Sequence, residues 1–283
     1  MSRVAVVTDS ASDLPPARAH AAGIAVVPLE VNFGSERLRA GIDLSTDAFW
    51  ERMLAPGAPF PTTAAASPGD FRDTFEGCLA DGASAVVCVT VGEKLSGAIK
   101  SARIAREMLA DREIRVVDSA SASMGEGLLA LLGAELSAAG ASAQEIAETL
   151  TARARDLDFY VALDSLEYLR RGGRISGAQA AIGNLLSFKP IITIREGAVE
   201  AADRVRTRGK ARERTIELLT ARPIEALAIL YTPPAEAGTY RDEVVARLPN
   251  PLPADRVSVQ PVGASVGPHI GPGCLGGVVL NRA

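Results

Sequence analysis

Histidine and cysteine are scarce in this chain of 283 residues, which carries two histidines, His20 and His269, and three cysteines, Cys78, Cys88 and Cys274. The histidines stand far apart and the cysteines lack paired-ligand spacing, so metal catalysis finds no ligand set. Two of the thiols read as small core hydrophobes; Cys274, close to His269, is left open. A basic excess is missing too. With 30 Lys and Arg against 34 Asp and Glu the formal net charge is −4, which offers no wholesale neutralisation of phosphates and argues against nucleic acid as a partner. No apolar run reaches membrane-span length. The best candidate, 124–139, is broken by Glu126 and Glu135 and reads as a buried core helix. The opening MSRVAVVTDSASD meets Asp9 too early for a signal-peptide core, which predicts a cytoplasmic protein. TDSASD follows the first strand where a dinucleotide-binding enzyme has its glycine fingerprint, and no repeat of fixed period is found.

What is present fits a folded α/β protein. The chain is long enough for one large domain or two ordinary ones, and 47% hydrophobic with 23% charged residues is a globular balance. Residues 3–8 form a Val-rich strand, 15–22 a helix and 24–29 a second strand. Residues 31–40 alternate about Gly34 and Ser35 as a hairpin, and 45–54 is a capped helix. A polar loop with neither helical nor strand period then runs to Ser67 and Pro68, read as N-cap and first helical residue. The continuous run 83–91 predicts a strand buried on both faces, and 113–117 is a further strand ending in a Ser/Asp turn. Helices at about 124–139 and 142–156 close a first α/β domain over 1–156. The second, 157–283, opens with a strand at 158–163 and the stretch LDSLEYLRRGGRISGAQAAIGNLLSFKPIITI. A hairpin at Gly197 and the basic amphipathic helix VRTRGKARERTIELL follow, then strand 224–231, helix 239–248 and strands 256–262 and 275–280. Two α/β domains are the predicted fold class.

The segment VGPHIGPGCLGG, 266–277, fixes His269 between two prolines among five glycines. Such a loop suits either the close presentation of one side chain to a ligand or an ordinary turn. Asp9 and Ser10, with Ser119 and Ser123, fall at carboxyl ends of strands, where ligands of open sheets usually sit; helix capping is the competing reading. Pro61 makes Phe60 extended, and of Thr62 and Thr63 one is expected to face a ligand and the other the backbone. Ser96, followed by Gly97, sits at or next to a helix N-terminus, whose free N–H groups suit an anion. Leu163, Leu166 and Leu169 stripe a short helix ended by Gly172-Gly173, with Arg170, Arg171 and Arg174 clustered there. These arginines, with Arg204, Arg206, Arg208, Lys210 and Arg212, make a dense basic surface suited to solubility or to an acidic partner.

Seven segments in order resemble the DegV family, the bacterial fatty-acid-binding proteins that serve fatty acid kinase. They are TDSASDL (8–14), PTTAAASPGDF (61–71), LSGAIKSA (95–102), VDSASASMGEG (117–127), LEYLRRGGRI (166–175), KPI (189–191) and HIGPGCLG (269–276). The resemblance implies two α/β domains with a long-chain fatty acid buried in a pocket between them. It implies that Thr63, Ser96 and His269 hold the carboxylate, with Gly97 and Gly271 in the same motifs and Arg170 and Arg174 near the pocket mouth. No cofactor is implied, only the fatty acid as ligand. The implied partner is a separate fatty acid kinase, which phosphorylates the carboxyl group, and membrane-surface contact is at most transient. Family members usually carry Ser-Gln-Pro after the threonine; this chain has Ala64-Ala65-Ala66, which keeps Thr62 open beside Thr63.

The chemistry is consistent with that implication. A buried carboxylate needs several hydrogen bonds to offset desolvation, which hydroxyls, an imidazole and a helix N-terminus can supply. A tail of about fifteen methylenes, at about 0.8 kcal/mol each, contributes on the order of 12 kcal/mol before binding costs, so the tail sets affinity and the head group orientation. The competing reading is an esterase or acyltransferase with Ser96 as nucleophile and His269 as base. It lacks a G-x-S-x-G elbow and a carboxylate near His269 in sequence.

Overall fold

Six consecutive buried residues, VAVVTD, make Val4–Asp9 (β1) an interior strand from which the first half of the chain is built. The computed structural model describes residues 3–175 and 188–282; the 176–187 portion of the long stretch read ahead of Lys189 lies outside the described residues. The chain divides into two units, each described by itself: 1–155 with 263–265, and 156–262 with 266–283. The predicted second domain is therefore interrupted, because Gly263, Ala264 and Ser265 group with the first unit.

In the first unit β1 leads through Pro16–Ala21 (α1) to Ile24–Val27 (β2), which pairs with it in parallel. Glu30–Phe33 (β3) and Glu36–Arg39 (β4) form the expected hairpin. Thr46–Leu54 (α2) begins at Ser45, whose hydroxyl accepts the N–H of Ala48. Thr62–Ala64 (β5) pairs antiparallel with β3. This corrects the reading of the threonine loop as aperiodic, since three residues are too few to show an alternation. Pro68–Ala80 (α3) starts at a Ser67–Asp70 capping box and buries Phe71 and Phe75. Ala85–Thr90 (β6) is buried throughout and precedes Ala98–Met108 (α4) and Glu113–Asp118 (β7). Met124–Ala138 (α5) and Ala143–Arg153 (α6) complete the unit. The parallel sheet runs β2-β1-β6-β7 and a smaller antiparallel sheet runs β4-β3-β5. α3 packs with α4 and α5 with α6, two pairs laid on the parallel sheet, which is why β1 and β6 carry no polar face. The chain turns to opposite sides of β1 on its way to β2 and β6. The carboxyl ends of β1 and β6 thus flank a topological switch point.

The second unit opens with Leu157–Ala162 (β8) and a single-turn helix, Glu167–Arg171 (α7). Lys189–Arg195 (β9) and Ala198–Val205 (β10) form a hairpin whose turn residues, Glu196 and Gly197, both have left-handed φ, 48° and 76°. Arg208–Leu219 (α8), Ile224–Tyr231 (β11), Gly238–Ala246 (α9), Val257–Pro261 (β12), Gly267–Ile270 (α10) and Leu275–Asn281 (β13) follow. The sheet order is β10-β9-β8-β13-β11-β12, antiparallel except for β11 with β12. Ile216, Leu219, Leu227, Ile229, Tyr240 and Val279 centre the core, each large apolar side chain contributing about 1.5–3 kcal/mol on burial. Among the described residues no helix is long and apolar enough to cross a membrane.

Candidate functional site

The polar residues of the first unit separate into interior and surface groups. Asp9 is fully buried: its carboxylate accepts the N–H groups of Ala11 (2.9 Å) and Val91 (3.1 Å), so it caps the turn after β1 and ties that turn to the end of β6. Glu126 on α5 lies beside it, accepting from Thr8 Oγ1 at 2.6 Å and from the Asp9 N–H at 3.2 Å. Burial pushes Asp9 up to about 6, and burial followed by the charge of Asp9 holds Glu126 well above the carboxylate range. Capping and interior hydrogen bonds use the Asp9 oxygens, in line with the capping reading offered for it. Ser119 is spent in its own turn, donating to Ser121 O and accepting the Ser121 N–H. Ser10 and Ser123 are likewise engaged, Ser10 with Leu29 and Ser265, Ser123 with Asp13.

Ser96 is placed differently. It precedes α4, whose N-cap is Gly97, and its Oγ accepts the N–H of Ala98, the first helical residue, at 3.2 Å. That leaves the hydroxyl proton to donate outward, and Ser96 is only half-buried. A Cβ at Gly97 would lie 3.9 Å from that of Ala65, so the chain just after the threonines neighbours the Ser96 turn. Within β5 Thr62 is exposed and Thr63 half-buried, opposite faces of the strand, as an alternating period demands.

In the second unit α7 packs against α10. His269 lies on α10, a turn of helix where an open loop was expected; Pro268 occupies an early helical position, which its fixed φ favours. The imidazole seats against Gly172, where a Cβ would overlap Nδ1. Burial, and after it the neighbouring Arg174 cation, brings His269 down from an ordinary 6.5 to about 4, so the ring is neutral at pH 7. Arg174 is half-buried and donates to Gly172 O at 2.6 Å, whereas Arg170 is exposed on the surface. Gly271 takes φ 75° with Tyr168 packed where a Cβ would stand. Cys274 is buried, donates its thiol to Ile270 O (3.1 Å) and Gly271 O (3.2 Å), and is pushed up to about 12 by burial. It closes the turn after α10 and carries no thiolate.

A histidine held near 4 is a weak acceptor for a serine proton at neutral pH, so the Ser96–His269 hydrolase gains no support from this geometry. Taken separately, Ser96 offers a hydroxyl donor at a helix start in the first unit, and His269 a neutral imidazole with the Arg174 cation near it in the second. A separate cavity of about 220 Å³ in the second unit, between Leu163, Ala211, Pro234 and Leu275, is lined by none of the predicted ligand-binding residues, though Arg208 and Arg212 of the basic surface border it. On its rim Asp164 is paired with both Lys189 and Arg208.

Residues 3–282 match the model of a family described as an uncharacterised protein, DegV family. This chain belongs to the DegV family. A DegV domain-containing protein of Caldanaerobacter subterraneus is 34% identical over 280 residues, covering 98% of each chain. Two solved DegV structures share the fold. One, from Thermus thermophilus and described by its fatty acid binding, has a TM-score of 0.89 at 35% identity, covering 99% of this chain and 100% of that one. The other, a fatty acid binding protein from Bacillus subtilis, has a TM-score of 0.85 at 31% identity, covering 99% of both. Sequence reasoning missed Gly172, taken only as a helix stop, and Asp13. The one signal for Glu126 was its interruption of an apolar helix.

Proposed function

We propose that this DegV protein binds a long-chain fatty acid and presents its carboxylate to a separate fatty acid kinase in the cytoplasm. The carboxylate is held by the Ser96 hydroxyl, by Thr63 or Thr62, and by the neutral imidazole of His269 with the Arg174 cation near it. In the partner reaction a carboxylate oxygen attacks the γ-phosphorus of ATP, ADP leaves, and an acyl phosphate forms. The observation that carries the reading is the neutral, half-buried His269 beside Arg174, which suits a carboxylate and poorly suits base catalysis. Fatty acid binding in two relatives above 30% identity supports the ligand class. We expect the purified protein to carry a long-chain fatty acid, seen by native mass spectrometry and then by lipid extraction. Protein that is empty and also ignores added palmitate removes the proposal.

The kinase would dock on the basic surface. Arg171, Arg208 and Arg212 are neutralised there by Glu167, Asp164 and Glu243, and Arg204 and Arg206 stand over the Phe188 ring, 5.9 and 6.0 Å from its centroid. Arg170 and Arg206, both exposed, are the pair through which the steering charge is tested. Reversing both to Glu should slow kinase-dependent acyl phosphate formation by about tenfold at low salt, less at high salt, with palmitate binding unchanged. Equal rates for variant and wild type would assign the patch to solubility.

A further inference from the structure

The cavity of about 220 Å³ in the second unit combines an apolar floor with a charged mouth. Leu163 and Ala211 are buried in its wall and Leu275 is half-buried. They meet because α8 packs on both β8 and β13. Every residue lining the cavity belongs to this unit, so the site is complete without the other. Gly273 has to be small beside it: φ is 77°, and a Cβ would lie 2.7 Å from Asp164 Oδ2. The Asp164 carboxylate therefore lies flush against backbone, with one side left for its partners.

Those partners are two cations. Lys189 Nζ donates to Asp164 Oδ1 at 2.9 Å, Arg208 Nε donates to the same oxygen at 3.0 Å, and a terminal Arg208 nitrogen donates to Oδ2. One carboxylate between two cations leaves the triad with one positive charge in surplus. Its donors are not used up either. Among the described residues Lys189 spends two of its three N–H groups, on Asp164 Oδ1 and, at 3.3 Å, on Asp164 O, and Arg208 spends two of its five. Arg212, also at the mouth, is answered by Glu243 at 3.1 Å and lies over the Tyr240 ring, 5.0 Å from its centroid. Glu236 borders the same mouth and is exposed, and its charge disfavours a ligand with two negative charges.

We propose that this cavity is a second ligand site, for a small monocarboxylate with a compact apolar body; it goes beyond the fatty acid reading and does not depend on it. The floor takes the apolar body. Arg208 and Lys189, held in place by Asp164, take the carboxylate, whose two oxygens match a guanidinium fork. Volume sets the size: pockets for drug-sized ligands run to about 300–1,000 Å³ and a cavity of about 150 Å³ holds benzene, so an anion the size of benzoate fits and a long-chain tail does not.

The test titrates sodium benzoate into full-length isotope-labelled protein at constant ionic strength and follows backbone amides by NMR. Saturating shifts at Leu163, Ala211 and Leu275 are expected, with a Kd of about 1 mM or tighter. Benzyl alcohol, which keeps the ring without the charge, and inorganic phosphate, which keeps charge without the ring, should each bind at least about tenfold more weakly. Arg208→Gln, a change at an exposed position, should weaken benzoate about tenfold, and Lys189→Gln is the second variant should that one not fold. Palmitate should not displace benzoate. Absence of saturating shifts at these residues up to about 10 mM benzoate, equal binding of either control, or unchanged affinity in the folded variant overturns the proposal. Displacement of benzoate by palmitate overturns it too, by assigning the cavity to the fatty acid. If wild type ignores palmitate, the fatty acid reading fails while the benzoate titration still decides this site.

Discussion

Gly172→Ala should weaken palmitate binding by roughly tenfold while leaving the protein folded. Gly172 has φ −77°, an ordinary helical value that alanine adopts without strain, so the backbone has no objection to the change. The objection comes from His269, whose Nδ1 occupies the space a Cβ would fill. Because α7 and α10 are packed on each other, the imidazole must swing away or the helices must part. Either shift misplaces a hydrogen-bond donor by about 1 Å, enough to cost roughly tenfold or more in affinity for a group that must be met at hydrogen-bond distance. Calorimetry with palmitate measures the loss, and a thermal melt confirms the fold. The decisive arm is a cycle: in a His269→Ala background the same Gly172→Ala change should have almost no further effect. Additive losses would mean that Gly172 matters for some reason other than the imidazole.

The second large effect concerns stability against pH, and its sign is unusual. Asp9 and Asp13 are raised by burial from 3.8 to about 6 and about 7, and Glu126 is raised well above its ordinary value. A carboxyl raised in the folded state contributes stability that is present below its unfolded value and lost as pH climbs through the folded one. His269 works the other way: lowered from 6.5 to about 4, it adds stability as pH rises through that interval and is neutral in both states above it. The opposing slopes overlap below about pH 6.5. Above it the carboxyls act alone, and each proton the fold retains lowers stability by about 1.4 kcal/mol per pH unit. The melting temperature should therefore fall by several degrees between pH 6.5 and 8. Glu126→Gln keeps an oxygen for Thr8 and Asp9 but has no proton to lose, so it should flatten the fall. A melting temperature that is level or rising over this range would refute the interior assignment of the three carboxyls.

Much of the fold was legible because its strands are long and uniformly apolar. β6 and β11 announce themselves by continuous valine, alanine, leucine and isoleucine, and the caps at Ser45 and Ser67 follow from side chains that satisfy helix N–H groups locally. β5 was illegible because a three-residue strand exists only through its pairing with β3, a contact absent from any local pattern. The same holds at the candidate site. Ser96 and His269 stood out by their glycine and proline neighbours. Gly172 could not, since its role is to be small opposite a residue 97 positions later, and Asp13 could not, since its partner Gly263 lies 250 residues away. Asp9 stayed ambiguous for the converse reason: a polar residue at a strand's carboxyl end looks identical whether it faces a ligand or caps the next turn.

The interruption at Gly263–Ser265 also limits how this chain can be divided. A gene fragment ending near residue 155 would encode every strand of the parallel sheet yet lack three residues that complete the same unit. Asp13 would lose the Gly263 N–H and Ser10 the Ser265 hydroxyl, and Ala264 would be gone from the cluster around Phe49 and Trp50. The first half of the gene therefore does not spell out a complete unit, because part of that unit's own core is encoded beyond residue 260.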